Sequence, residues 1–319
     1  MQLVRAAAML ACAVLSLAAS AQSYPTRPVR VIVPFPPGGA DITARLLSVK
    51  MQDDLGQPVI IDNRAGANGM IGTEATARSA PDGYTLLFTA SSTIVANTYL
   101  FKNVPYTSRD FTPISIVFDA PNVLLAHPSV PVSSLKELID YAKGNPGKLT
   151  YASSSIGSAS HMEMEGFKIV AGLDIVHVPF KGFGPAVQEF LSGRISLLPI
   201  PYFVVKAQIA AGKVKPIAVA DNRRYAPLPQ IPALTEAAPS FQRAPAWVGV
   251  LGPAGLPRPI VGRLHDSIVK AVNAPDVRAR LEDDGQIIFA NSPEQFADII
   301  KSDIDYVSKM VRTLNIQPE

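Results

Sequence analysis

The chain has 319 residues, long enough for two lobes of ordinary size rather than one small core. It is 48% hydrophobic and 17% charged, which excludes a disordered chain; its 29 prolines and 21 glycines predict many short, abrupt connections. The formal charge of +3 comes from basic residues spread along the sequence, so no nucleic-acid partner is expected.

The first segment reads as a secretory signal peptide over residues 1–21. Met1 to Arg5 is a positive start, Ala6 to Ala19 an apolar run, and Ala19-Ser20-Ala21 a small-x-small cleavage site before Gln22. The run is shorter than the ~18 residues of a spanning helix. Cys12, the one cysteine, lies inside it, and Met9-Leu10-Ala11 before it is a poor site for lipid attachment. The mature chain is therefore expected to lie outside the cytoplasmic membrane with no thiol, no disulfide and no cysteine nucleophile.

From there short apolar strands alternate with amphipathic helices, the pattern of mostly parallel sheets with helices on their faces. Val29 to Val33 is a strand, followed by the turn Pro34 to Gly39 and a helix with Ile42, Leu46 and Val49 on one face. Val59 to Ile61 is a strand, Gly69 to Ala80 a helix, and Thr85 to Thr89 a strand running into Ser91-Ser92 and further helix. Ile114 to Phe118 and Val123 to Ala126 flank Asp119-Ala-Pro-Asn122, a pattern that suits a crossing between lobes. The alternation then restarts. Ser134-x-x-Glu137 is a capping box, Leu149 to Ala152 a strand, and Ser153 to Ser158 a serine-rich turn before a helix. Ile175 to Val178, Ile195 to Leu198, Val204 to Ala211 and Ile217 to Ala220 complete a second sheet. Tyr225 to Pro245, rich in proline, reads as a return path to a strand at Trp247 to Leu251. Ile260, Leu264, Ile268 and Val272 mark a helix, and Ser292-Pro-Glu-Gln295 opens the last one. The expected division is a first lobe over 22–122, a second over 123–245, and a return to the first over 246–319. The default site is the cleft between the lobes.

Four strand-to-helix turns are candidate ligand loops: Phe35 with Gly38 and Gly39; Thr89, Ala90 and Ser91; Ser153, Ser154, Ser155, Gly157 and Ser158; and Phe180, Lys181 and Gly182. Such turns sit at the carboxyl ends of strands, where α/β proteins bind ligands. They also open helices whose unpaired N–H groups favour an anion, especially a carboxylate. Enzyme chemistry fits less well. Gly157-Ser-Ala-Ser-His161 is not G-x-S-x-G, and His161-Met-Glu-Met-Glu165 is not H-E-x-x-H and lacks a third ligand. A serine hydrolase on Ser158 and His161 therefore ranks far below a binding protein, and neither metal nor cofactor is expected. Trp247 reads as a core aromatic rather than part of the cleft.

Several pieces together resemble the Bug family, the substrate-binding proteins of tripartite tricarboxylate transporters. They are Val33-Pro-Phe-Pro-Pro-Gly-Gly39 with Asp41 and Ala44-Arg45; Asp62-Asn63-Arg-Ala-Gly66 with Gly69 and Gly72; and Pro81-Asp-Gly-Tyr-Thr-Leu86. Then come Gly157-Ser158 with His161, Val178-Pro-Phe-Lys-Gly182 with Gly184-Pro-Ala186, Leu228 to Glu236, and Pro253-Ala-Gly255. The resemblance covers essentially the whole mature chain. It implies a type II periplasmic binding fold, a clamshell whose cleft grips carboxylates through backbone amides, hydroxyls and waters. The same loops are selected, Phe35 to Gly39 and Thr89 to Ser91 on one wall, Ser153 to Ser158 and Phe180 to Gly182 on the other. The implied partners are membrane permease subunits of such a transporter; presentation of the ligand to a membrane sensor is the alternative, and nothing in the sequence demands more than a monomer.

This sequence departs from the family pattern in ways that bear on the ligand. Only Ala40 separates Gly39 from Asp41, Phe180 replaces the usual tyrosine, and Ser155 stands where a glycine is common. Many relatives carry an aspartate near the end of the strand that here reads Ile195-Ser-Leu-Leu-Pro-Ile-Pro201. A buried ammonium without such a partner costs several kcal/mol. The expected ligand is thus an amine-free mono- or dicarboxylate, aliphatic or aromatic, with Phe180, Ile200 and Tyr202 making the cleft apolar.

Overall fold

The apolar runs pair into two sheets. A computed structural model describes residues 24–318 apart from Gly39 and Lys181, so those two candidate ligand residues and the signal-peptide segment lie outside the described residues. Helices cover both sheets, giving a two-lobed α/β molecule.

The first sheet holds six strands in the order β11-β4-β10-β3-β1-β2. These are β1 (Val29–Val33), β2 (Val59–Asn63), β3 (Thr85–Ala90), β4 (Phe111–Asp119), β10 (Trp247–Pro253) and β11 (Ile287–Ile288). Strand β1 runs parallel to β2 and β3, whereas β10 inserts antiparallel between β3 and β4. The second sheet has the order β7-β6-β8-β5-β9. It comprises β5 (Asn122–Ala126), β6 (Thr150–Ser153), β7 (Val176–Pro179), β8 (Leu197–Pro201) and β9 (Lys215–Val219), with β5 antiparallel to β8 and β9. The sheets are therefore mixed rather than mostly parallel, because each takes in a strand from a crossing segment. The chain passes from β4 to β5 through Ala120-Pro121. It passes back beside that point, where the Ala120 N–H donates to Ala246 O at 3.4 Å.

Helices α1 (Ala40–Leu55), α2 (Met70–Ala77) and α3 (Asn97–Leu100) belong to the first half, the last preceded by a π-helical turn at Ser92–Ala96. The second sheet carries α4 (Leu135–Gly144), α5 (Ala159–Ala171), α6 (Phe183–Leu191) and α7 (Tyr202–Ala210). Then α8 (Arg258–Val272), α9 (Pro275–Asp283) and α10 (Pro293–Thr313) close the chain. The segment expected as a strand over Val204 to Ala211 is instead α7. A short apolar run carries no period that separates helix from strand, and only Val205 of this one is fully buried. The preceding strand is shifted to Leu197–Pro201 and contains two prolines. Its pairing with β6 is confined to Leu197, so Pro199 and Pro201 face a side that needs no N–H.

Caps predicted from the sequence take hold. Ser134 Oγ accepts from Glu137 N at 3.2 Å, although the Glu137 carboxylate reaches the N–H of Ser133 rather than that of Ser134. Ser292 and Gln295 form the reciprocal pair, at 3.2 and 3.0 Å, with Pro293 in the first turn of α10. Phe296, Ile300 and Val307 of α10 are buried against Trp247, Ile116 and Leu87. Each fully buried side chain of this size contributes about 1.5–3 kcal/mol. Trp247 packs edge-on to Phe296 with ring centres 4.8 Å apart, and its indole N–H donates to Asp303, which confirms its place in the core. Among the described residues no helix is long and apolar enough to cross a membrane.

Candidate ligand-binding cleft

Between the sheets lies a cavity of about 200 Å³. Five of the expected site residues line it: Ala90, Ser91, Ser154, Gly157 and Ser158. Ser92, Ser160, Asn122 and Ala40 join them, and the rest of the lining is apolar, notably Phe118, Phe183, Phe203, Met162, Pro201 and Pro245. Among the described lining residues none is ionisable.

Each wall places a helix start at this cavity. In the first lobe β3 ends at Ala90 and the backbone enters the helical region at Ser91, whose hydroxyl donates to Pro245 O at 2.9 Å. Thr89 does not reach the cavity. It is fully buried, and its hydroxyl meets that of Thr93 at 2.6 Å to brace the π-helical turn. In the second lobe Ser158 caps α5, its Oγ accepting from His161 N at 3.4 Å and contacting Ser160 Oγ at 2.9 Å. The leading N–H groups of α5, from Ala159 and Ser160, have no helical acceptor and point out of the helix start. Hydroxyls and free N–H groups at a positive helix end suit a carboxylate.

The remaining expected residues stand behind this surface. Phe35 packs against the first-lobe core and Gly38, at φ +113°, turns the chain into α1. Asp41 fastens that turn. Burial works against its charge, but hydrogen bonds from Arg45 (3.0 Å), Asn63 (2.8 Å) and the Gly38 N–H hold its carboxyl below the usual range. Asn63 also donates to Phe35 O at 3.1 Å. Ser153 Oγ bonds Ser155 O and His177 Nε2, at 3.0 and 2.7 Å. Phe180 and Gly182 donate backbone N–H groups to Ser153 O and Ser154 O, at 3.0 and 2.7 Å. These residues shape the serine loop from below. Nor do Phe180, Ile200 and Tyr202 supply the apolar lining: Ile200 is fully buried in the second-lobe core, and Phe180 and Tyr202 pack against that cluster.

The geometry gives no activated serine. His161 Nδ1 accepts from Gly157 N at 2.9 Å and its ring stacks on His177, with centres 4.1 Å apart. Ser158 Oγ donates to Ser155 O at 2.8 Å rather than to an imidazole. Glu165, four residues beyond His161, is taken by Tyr151 and Lys168, both at 2.6 Å.

A family profile described as "Tripartite tricarboxylate transporter family receptor" matches residues 43–316. The chain belongs to this receptor family. Protein BugT of Bordetella pertussis is 37% identical over 307 residues, covering 95% of this chain and 94% of its own. An R. palustris protein solved with adipate is 31% identical with a TM-score of 0.82, covering 93% of this chain and all of that one. MatC from Rhodopseudomonas palustris with bound malate is 33% identical with a TM-score of 0.77, covering 90% and 100%. The fold is thus that of the family's two-lobed solute-binding receptors, not that of an enzyme.

Several lining residues of this receptor escaped the sequence reading. Phe118, Ala120 and Asn122 belong to the crossing segment, and Pro245 and Ala246 to the return. Both segments were read as connections, yet in a clamshell the connections form the floor of the cleft. Beneath that floor is a buried charged cluster. Arg243 donates to both carboxylate oxygens of Asp119 and, at 3.4 Å, to Asp221, so it ties the ends of β4 and β9 together. Asn122 contacts Glu163 at 2.6 Å. Burial pushes Glu163 up to about 8, against the opposing pull of Arg243.

Proposed function

We propose that this chain is an extracytoplasmic, periplasmic solute-binding receptor. It captures a small amine-free carboxylate and hands it to the membrane subunits of a tripartite tricarboxylate-type transporter. The observation that carries this reading is the cavity itself. Serine hydroxyls and helix starts face it from both lobes, the rest is apolar, and no acidic side chain among the described lining residues could balance an ammonium. Of the stretch from Ile195 to Pro201 only Pro201 reaches the cavity. The two R. palustris relatives, solved with adipate and malate, hold acids of this kind. Closure follows because a ligand bridging both walls binds the closed form better than the open one. The lobes then divide at 22–122 with 246–319, and 123–245, and the receptor works as a monomer.

The test is a thermal-shift screen of residues 22–319 against mono-, di- and tricarboxylates, aromatic acids and amino acids. A ligand at ~100 times its dissociation constant stabilises by about 2.7 kcal/mol. Shifts confined to amine-free acids are expected. Shifts confined to amino acids would discard the amine argument, and no shift with any acid would discard carboxylate capture.

A further inference from the structure

The polar groups of the cavity gather where its two walls meet. Its polar side chains are Ser91, Ser92, Ser154, Ser158, Ser160 and Asn122. The serines belong to the turn after β3 and to the start of α5. These two places adjoin: Gly157, beside Ser158, lies against Leu100, and Met162, one turn into α5, joins the cluster of Ile94 and Val95. Several of the polar groups are already engaged. Ser91 Oγ donates to Pro245 O at 2.9 Å, and Ser158 Oγ donates to Ser155 O at 2.8 Å. Asn122 spends one amide atom on Glu163 at 2.6 Å, and its other amide atom is buried. What remains for a ligand is one cluster of hydroxyls and leading N–H groups of α5, which suits the oxygens of a single carboxylate.

The rest of the cavity is hydrocarbon supplied by both lobes. Phe203 of α7 crosses from the second lobe to pack with the first-lobe core that holds Phe118 and Val248. Phe183 faces the same space from the second-lobe core. None of these side chains donates or accepts a hydrogen bond, and none carries a charge. A second carboxylate set among them would lose its water without gaining a counter-charge, the costliest kind of burial. Size points the same way. A cavity of about 150 Å³ lined by Leu, Ile and Phe is enough to hold benzene. This one, at about 200 Å³, takes a body of that size together with its carboxylate.

We propose that the ligand is a monocarboxylate with a hydrocarbon body the size of a benzene ring or a short alkyl chain, and that Phe203 is the specificity-determining residue that excludes a second charged end. This rests on the carboxylate reading above and narrows it: the serine cluster holds the one carboxylate, and the phenyl-lined space takes the rest of the molecule. Phe118 comes from the first lobe and Phe203 from the second, so the body touches both and its burial favours the closed form.

Matched acids separate the two ends. Hexanoate and adipate share a chain, benzoate and terephthalate share a ring, and each pair differs in the second carboxylate. In calorimetric titration at pH 7 the monoacid binds more tightly than its diacid by about tenfold or more. From butyrate to hexanoate each added methylene tightens binding about fourfold. Phe203→Lys sets a cation at the hydrocarbon end and reverses the order, so that the diacid binds better, whereas Phe203→Leu keeps it. Circular dichroism and melting curves check that each variant folds; should Phe203→Lys not fold, the matched pairs on the unmodified protein decide. If neither member of one pair binds, the other pair decides and shows whether ring or chain fits. A diacid that binds as tightly as its monoacid overturns the proposal and places the second carboxylate at the leading N–H groups of α7, leaving carboxylate capture intact. An order that Phe203→Lys leaves unchanged also overturns it. Binding of no acid at all overturns both readings.

Discussion

The two walls of the cleft present the same kind of group, a small polar residue at a helix start, but they are fixed in different ways. The first-lobe turn before α1 is held by charged and amide groups: Asp41 receives Arg45, Asn63 and the Gly38 N–H, and Asn63 also holds Phe35 O. The second-lobe serine loop is held by its own hydroxyls and by two stacked imidazoles, with His161 under Gly157 and His177 under Ser153. One wall is a clamp that keeps its charge through the neutral range. The other depends on a neutral imidazole as acceptor, and its Gly157 packs against Leu100 of the first lobe. The two walls thus reach a similar surface by different chemistry: charge-assisted bonds around Asp41 in the first lobe, and neutral hydroxyl and imidazole contacts in the second.

Removing the clamp is the strongest way to break this contrast. Asp41→Ala strips three donors of one buried acceptor, and a hydrogen bond to a charged group is worth about 1.5–3 kcal/mol. We expect unfolding in urea to show a loss of about 3 kcal/mol, with the midpoint lowered and the slope unchanged. Ligand affinity, measured at a temperature where the variant is folded, falls less than for a change in the serine loop. If affinity falls more than stability does, the first-lobe turn touches the ligand directly and the division of roles is wrong.

The contact between Gly157 and Leu100 is the next lever. Gly157 sits at φ +70°, and a Cβ there would lie 2.3 Å from the side chain of Leu100, which belongs to the other lobe. Gly157→Ala therefore meets both backbone strain and a steric block between the lobes. The expected result is a dissociation constant at least tenfold higher, about 1.4 kcal/mol. Small-angle scattering should show that ligand compacts the variant less than the unmodified protein. Pairing the change with Leu100→Ala should recover part of the affinity. Recovery would locate the effect in the contact, while its absence would locate it in the backbone of the loop.

Much of this was legible in the sequence. Short apolar runs marked most strands and helical periodicity most helices, and Ser292-Pro-Glu-Gln295 marked a cap, because these are local signals that short-range physics writes directly. The serine loop was legible for the same reason, since Ser154, Gly157 and Ser158 announce a tight helix start. What the sequence hid is relational. Nothing local says that Phe118 and Asn122 floor a cavity, that Arg243 ties Asp119 to Asp221, or that Ile200 points into a core while Phe183 faces the cleft. Thr89 lies one side-chain alternation away from the cavity: in a strand, neighbours point to opposite faces, and Ala90 rather than Thr89 lines it. The run Val204 to Ala211 failed because its apolar residues fit either period.

The smallest expected effect separates the walls by pH. Burial lowers both imidazoles beneath the serine loop. For His177, the proximity of His161 adds to burial and brings it down to about 4. Unfolded histidines take up protons near 6.5, so between about 6.5 and 4 the unfolded chain binds more protons than the folded one. The stability that these rings contribute is full above pH 6.5 and is lost as the pH falls towards 4. Glu163 has the opposite sign. Its carboxyl is raised in the folded state, so its contribution is full below about 4.5 and is lost as the pH rises through about 8. Melting temperatures at pH 5 and 7 should differ by a few degrees on account of the histidines, since His177 is only partly buried and solvent screens part of the effect. His177→Asn should flatten the acid limb without touching the alkaline one, and Glu163→Gln the reverse. Binding adds a sharper reading. Protonation of His161 removes the acceptor for the Gly157 N–H and frees the loop that closes on Leu100, so acid should weaken ligand binding in the unmodified protein before it unfolds the first lobe. Loss of binding and of global structure at the same pH would mean that the two walls melt as one unit.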